Sequence, residues 1–182
     1  MSATDPPLPK GLRWVQLQTT PVSRELRDAD DRVIGTLRDL PKPAVTWGFT
    51  DRRRARGEVG ASHWDLSVER KGISGFFGLS ATVLIDAGQT GVLLAGPFFT
   101  SGTLSLVSGR RLQWKGGVFE GPSAFLDERG RMLVQFRTGS YIKRVNAYVD
   151  VQPEAADMSE WPLLAVLGLY LRLLMNRVFD GS

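Results

Sequence analysis

Apolar and polar residues alternate with period two along much of the chain, the mark of half-buried strands. In HWDLSVERK, Trp64, Leu66 and Val68 share one face, while His63, Asp65, Ser67, Glu69 and Lys71 share the other. In RLQWK, Leu112 and Trp114 face one way and Arg111, Gln113 and Lys115 the other. In KRVNAYVDV, Val145, Ala147, Val149 and Val151 oppose Arg144, Asn146, Tyr148 and Asp150. Turn signals punctuate these runs: DADD at 28–31, RKG at 70–72, DAGQTG at 86–91, SGR at 108–110 and DERG at 127–130. Such clusters at short spacing predict hairpins. The pattern predicts strands near 12–18, 23–28, 33–38, 44–49, 55–59, 63–71, 73–79 and 81–86. It predicts more near 91–98, 102–107, 111–115, 118–126, 131–137 and 143–151. Merging of short segments brings the expected number to about twelve.

The alternation stops at Pro153. WPLLAVLGLYLRLLM, Trp161 to Met175, is apolar nearly all the way round. A helix without a wet face belongs in a core or a membrane. At 1.5 Å per residue this segment spans roughly 22 Å, short of the roughly 30 Å of a bilayer core, and Arg172 interrupts it. The expected helix runs from about 160 to about 178, with Ser159 as N-cap and Pro162 in the first turn. A strand of about six residues is about 20 Å long, close to the length of the apolar helix. A helix with its side chains is about 10–12 Å across, too wide for an eight-stranded barrel, which its own side chains fill. The expected fold is therefore mainly β: a closed antiparallel barrel of about twelve strands around a hydrophobic C-terminal helix. Residues 1–10, polar and proline-rich, read as a disordered leader, and 11–178 as a single domain. In that frame Arg172 is expected near the barrel mouth, snorkelling to solvent, or in a buried pair with an inward carboxylate.

One stretch echoes another. ELRDADDRVIGTLR (25–38) aligns with AFLDERGRMLVQFR (124–137), matching Asp28 to Asp127, Arg32 to Arg131 and Arg38 to Arg137. Both copies read as strand, acidic turn, strand. A duplicated hairpin and a turn grammar shared by two hairpins explain this equally well.

The chain resembles the tubby C-terminal-like superfamily, which includes LURP-one-related proteins and phospholipid scramblases, and is closest to its small bacterial members. The resemblance rests on the strand–DxxxR–strand units, on GFFG at 75–78, PEAAD at 153–157 and PLLAVLGLYL at 162–171, and covers most of 11–178. It implies a twelve-stranded barrel wrapped around the terminal helix. Tubby proteins bind phosphoinositides through surface basic residues, but that site does not map onto this chain residue by residue. The chain lacks the longer insertions of tubby domains. It also lacks the cysteine-rich segment of scramblases, so scramblase activity is not expected.

Composition narrows the chemistry. The chain has 182 residues, 42 % of them hydrophobic, enough for one domain with a real core. There is no cysteine and one histidine, His63, which removes thiolate catalysis, disulfides and paired-histidine metal motifs. His63 and Asp65 share a strand face, yet no GxSxG nucleophile elbow accompanies them, and solvent-facing decoration is the expectation. The glycines at 72, 75, 78, 88 and 91 and at 116, 117 and 121 form no phosphate-binding loop before a helix. No enzyme activity and no cofactor or metal are expected. Nothing at the N-terminus resembles a signal peptide, so the cytoplasm is the default location. The net charge is +4, and 18 arginines stand against 5 lysines, a bias that suits phosphate recognition and that GC-rich codon usage also produces. Two clusters are candidate sites. The first is Arg52, Arg53, Arg54 and Arg56, a phosphate clamp or a solvated loop. The second is Arg111, Lys115 and Arg144, with Arg110 and Lys143, on what read as neighbouring strands. The functional expectation is a binding or scaffolding module for anionic phospholipid or another phosphate-bearing ligand. The alternatives are a weak nucleic-acid binder, for which only Tyr141 and Tyr148 offer stacking, and a membrane-associated protein using the terminal helix. Integral insertion and nucleic-acid binding are the less expected outcomes.

Overall fold

The computed structural model describes residues 10–41, 54–71, 80–86, 90–95, 100–117, 121–140, 144–155 and 158–179. Within them twelve strands precede one helix. The strands are β1 (Leu12–Gln16), β2 (Ser23–Arg27), β3 (Val33–Asp39), β4 (Arg54–Val59), β5 (Ser62–Lys71) and β6 (Ser80–Ile85). They continue as β7 (Thr90–Ala95), β8 (Ser101–Ser105), β9 (Arg111–Lys115), β10 (Ser123–Leu126), β11 (Met132–Thr138) and β12 (Val145–Val151). A short 3-10 turn at Pro153–Ala155 leads to α1 (Trp161–Phe179). The expected strands at 44–49 and 73–79 lie outside the described residues. All pairings are antiparallel between chain neighbours, and β1 also pairs with β12, so the hydrogen-bonded order runs β1-β12-β11-β10-β9-β8-β7-β6-β5-β4-β3-β2. The chain is thus mainly β, an antiparallel sheet with one C-terminal helix.

The alternation read from sequence sorts residues as expected. Leu66 and Val68, Leu112 and Trp114, and Val145, Ala147 and Val149 are buried, while Arg111, Gln113 and Lys115 are exposed. The inner faces meet α1, whose residues Leu163 to Leu171 are all buried; at Gly168, Phe136 leaves no room for a side chain. The helix packs against β4, β10, β11 and β12. Trp14 Nε1 donates to the carbonyl of Ala165 at 3.2 Å, fixing β1 to the middle of the helix. The helix begins one residue later than expected. Ser159 does not cap it; its hydroxyl donates to the Glu160 carboxylate at 3.3 Å, and the Glu160 carbonyl accepts from Leu164.

The sequence echo proves larger than a hairpin. Asp28 Oδ1 accepts the backbone N–H groups of Asp30 and Arg32, each at 2.9 Å, and Asp127 Oδ1 accepts those of Arg129 and Arg131 at 2.9 and 2.8 Å. Asp31 (φ 65°) and Gly130 (φ 78°) take the same left-handed position in the two turns. The register shifts at the same place, Leu26/Arg27 in one copy and Phe125/Leu126 in the other. The correspondence extends to the flanking strands. Trp14 lies opposite Leu26 as Trp114 lies opposite Phe125, and Leu37 opposite Gly57 as Phe136 opposite Val149. Two hairpins of one turn grammar in an antiparallel meander, and a duplication, both allow this match. The repeated unit is four-stranded, β1–β4 and β9–β12.

Antiparallel connection gives the sheet two ends. The β2–β3, β4–β5, β8–β9 and β10–β11 turns lie at one, the turn end, with the N-terminus of α1. The longer connections lie at the other, the loop end, with the C-terminal part of α1, where Met175 approaches Gly116.

Candidate basic surfaces

The described carboxylates are unevenly distributed. Asp28, Asp30, Asp31, Asp127, Glu128, Glu154 and Glu160 stand at the turn end, whereas Asp39 stands at the loop end among Arg24, Arg38, Arg54, Lys115, Arg144 and Arg172. Asp39 faces inward and pairs with Arg24 at 3.2 Å; Arg24 is buried on the inner face of β2.

Of the first predicted cluster, Arg52 and Arg53 lie outside the described residues. Arg54 and Arg56 alternate onto the outer face of β4 and are exposed. Their states differ. Arg56 grips Asp65 of β5 with two bonds, Nε to Oδ1 at 2.7 Å and Nη2 to Oδ2 at 3.1 Å. Arg54 makes no ion pair among the described residues, and its charge reaches Asp65 only at longer range. Sequence reasoning missed Arg38. It is exposed on β3 directly opposite Arg56, and has no ionic partner among the described residues. Like charges placed opposite each other on a sheet are destabilising. The repeat shows what a neutral solution looks like: Arg137 has Tyr148 opposite it, lies over that ring at 5.7 Å, and holds Asp150, the counterpart of Glu58, at 2.6 and 3.2 Å.

The second predicted cluster does not converge. The stripe expected on neighbouring strands fails because β10 and β11 separate β9 from β12, roughly 14 Å at the usual strand spacing. Arg111 and Lys115 share the outer face of β9 but sit at its opposite ends, about 13 Å apart. Arg144, at φ 54°, precedes β12 at the loop end. Neither cluster joins the other, since β5 to β8 stand between β4 and β9.

Arg172 does not snorkel. It is buried, and its Nη1 donates to Ser123 Oγ at 2.8 Å and to the Gly121 carbonyl at 3.1 Å. Ser123 occupies in the second repeat the place of Arg24 in the first, so both copies put a guanidinium inside the loop end.

His63 is exposed on the outer face of β5 and lines an open hollow of about 330 Å³ with Arg56, Glu58 and Ser62. The neighbouring Asp65 is already engaged by Arg56, which holds its carboxyl below the ordinary aspartate range. No group of three or more metal-binding side chains occurs among the described residues. Asp31, bonded by Arg27, is likewise held low. At Asp127 burial works upward, but the N–H of Arg131, its side chain and the N–H of Arg129 win, and the carboxyl is again held low. The unfolded chain therefore takes up protons at higher pH than the folded one. These contributions are complete above the ordinary aspartate pKa and are lost as pH falls through the lower folded values. The expected result is a thermal midpoint that falls as pH drops below about 4, with a shallower acid dependence in D65N. Parallel acid profiles for wild type and D65N would contradict this.

Comparison with family models, curated proteins and solved structures returned no match.

Proposed function

We propose that the chain is a non-enzymatic binding module, a twelve-stranded barrel closed around α1, that holds anionic phospholipid headgroups on the outer face of β3 and β4. The observation that carries this reading is the pair Arg38 and Arg54, two exposed guanidinium groups without an ion pair among the described residues, flanking the bonded Arg56 at the loop end. The chain keeps Arg38 opposite Arg56 at an electrostatic cost that the second repeat avoids by placing Tyr148 opposite Arg137. An anion bound there would offset that cost. By sequence, Arg52 and Arg53 extend the same basic run. The resemblance to tubby-like proteins points the same way. The pairing of β1 with both β2 and β12 supports closure, and the burial of α1 supports its place inside. With Asp65 committed to Arg56, the His63–Asp65 pair has no carboxylate to spare for acid–base work.

The alternative of a membrane anchor in α1 is disfavoured because its apolar side chains are consumed by the strands. No helix of the described residues is long and apolar enough to cross a membrane. The nucleic-acid alternative loses Tyr148, which is covered by Arg137.

Flotation with phosphatidylcholine vesicles, with and without phosphatidylserine, tests the proposal. Each basic residue near an anionic surface contributes about 1 kcal/mol, so R38Q/R54Q is expected to bind roughly thirtyfold more weakly. K115Q/R144Q should bind as wild type does. Absence of wild-type binding at low ionic strength, or equal binding by R38Q/R54Q, would overturn it.

A further inference from the structure

A second basic feature lies at the opposite end and belongs to no surface proposed above. Between the β8–β9 and β10–β11 turns runs an open groove of about 590 Å³, lined by Ser108 to Leu112 and by Asp127, Glu128, Arg129 and Arg131. That volume is within the range of small-ligand sites. Four arginines face two carboxylates there, and the two carboxylates are not equivalent. Asp127 is consumed by its own turn: it accepts two backbone N–H groups and the Arg131 guanidinium, whose Nε donates at 2.7 Å. Arg131 and Asp127 therefore neutralise each other and brace one wall. Arg110, Arg111 and Arg129 remain, all exposed and without an ion pair among the described residues, with Glu128 the one opposing charge in the groove. Behind the wall, Glu160 accepts from Ser108 and feels Arg110, without an ion pair to it.

The walls are held rather than loose. The Leu106 and Arg110 backbones bond across the β8–β9 turn at 2.9 Å, and Gly109 N–H donates to the Leu106 carbonyl. Gly109 (φ 83°) and Gly130 (φ 78°) turn the chain at the two tips, and the buried Leu112 lies beneath. Three guanidinium groups on two braced turns, with one opposing charge, match an anion that spans the groove, and arginine forks match phosphate oxygens in pairs.

We propose that this groove binds a small ligand carrying two or more phosphate groups, gripped by Arg110 and Arg111 on one wall and Arg129 on the other. It is a site separate from the β3–β4 surface and does not depend on it. Such a ligand is either a soluble polyphosphate or a phosphorylated headgroup, and two arms distinguish them.

In the first arm, sodium tripolyphosphate is titrated into the full-length protein at low ionic strength and followed by calorimetry. In the second, vesicles of phosphatidylcholine with diacylglycerol pyrophosphate, whose headgroup is a diphosphate, replace it. K10Q/R32Q, which removes two exposed charges outside both proposed sites, should bind as wild type does in the arm that carries the ligand, and R110Q/R111Q/R129Q at least tenfold more weakly. Asp127 and Arg131 are left intact so that the turn persists, and an unchanged thermal midpoint in the triple variant confirms that the fold is retained. No binding by wild type in either arm overturns the proposal. Equal loss in K10Q/R32Q and in the triple variant also overturns it, since that outcome marks diffuse attraction rather than a site.

Discussion

Ending the chain at Asp157 is expected to abolish folding, not to release a tail. Six leucines of α1 (Leu163, Leu164, Leu167, Leu169, Leu171 and Leu174) are buried. At about 1.5–3 kcal/mol each, they contribute roughly 9–18 kcal/mol before Val166, Tyr170 and Met175 are counted. A domain of this kind has only about 5–15 kcal/mol of net stability. Removing the helix would also expose the inner faces of the strands, among them Trp14, whose indole N–H donates to Ala165. The truncated chain should lack near-UV circular dichroism and amide dispersion. A soluble product that still unfolds cooperatively would show that the sheet has another core.

Gly168→Ala is expected to destabilise, against the usual sign. In an exposed helix this change stabilises by about 1 kcal/mol. Here the added Cβ would meet the Phe136 ring, 2.1 Å from its Cζ. Phe136 cannot swing aside easily. It is fully buried and stands edge-on to Trp114 and Phe125, with centroids 6.1 and 6.5 Å apart. Overpacking of this kind costs about 1–3 kcal/mol. Urea denaturation should show a lower midpoint with an unchanged slope. A G168A protein as stable as wild type would mean that β11 and α1 are not in the contact described. Gly57→Ala tests the same interface from β4, where the new Cβ would lie 2.2 Å from Val166 Cγ1.

These two predictions rest on features that the sequence exposes to different degrees. The strands and their inner faces were legible because period two is a local signal, carried by neighbours such as Leu112 and Trp114. The apolar helix was legible for the same reason. The repeat was visible only at its hairpin, where Asp28 and Asp127 fix identical turns. Its outer strands share pairing geometry but little sequence: Gly57 occupies the place of Val149. Arg172 was misread as snorkelling because the chain does not reveal which inward groups receive it; Ser123 is 49 residues away.

The candidate sites depended still more on register. Arg54 and Arg56 were found from their spacing. That Arg56 is neutralised by Asp65, and that Arg38 lies opposite it, follow from strand pairing rather than from the residues themselves. The proposed stripe of Arg111, Lys115 and Arg144 could have been rejected from the sequence, since the strands near 118–126 and 131–137 had to lie between. The groove at the turn end was hidden for a different reason. Arg110, Arg111 and Arg129 belong to two turns that the chain separates and the β9–β10 pairing brings together.

The central functional claim is that headgroup recognition resides on the outer face of β3 and β4. Its most direct test is chemical-shift mapping with a short-chain phosphatidylserine below its micelle concentration, at low ionic strength. The account predicts saturable shifts at the side chains of Arg38 and Arg54 and the amides around them, absent in R38Q/R54Q. Shifts confined to other strands, or none at all, would contradict it.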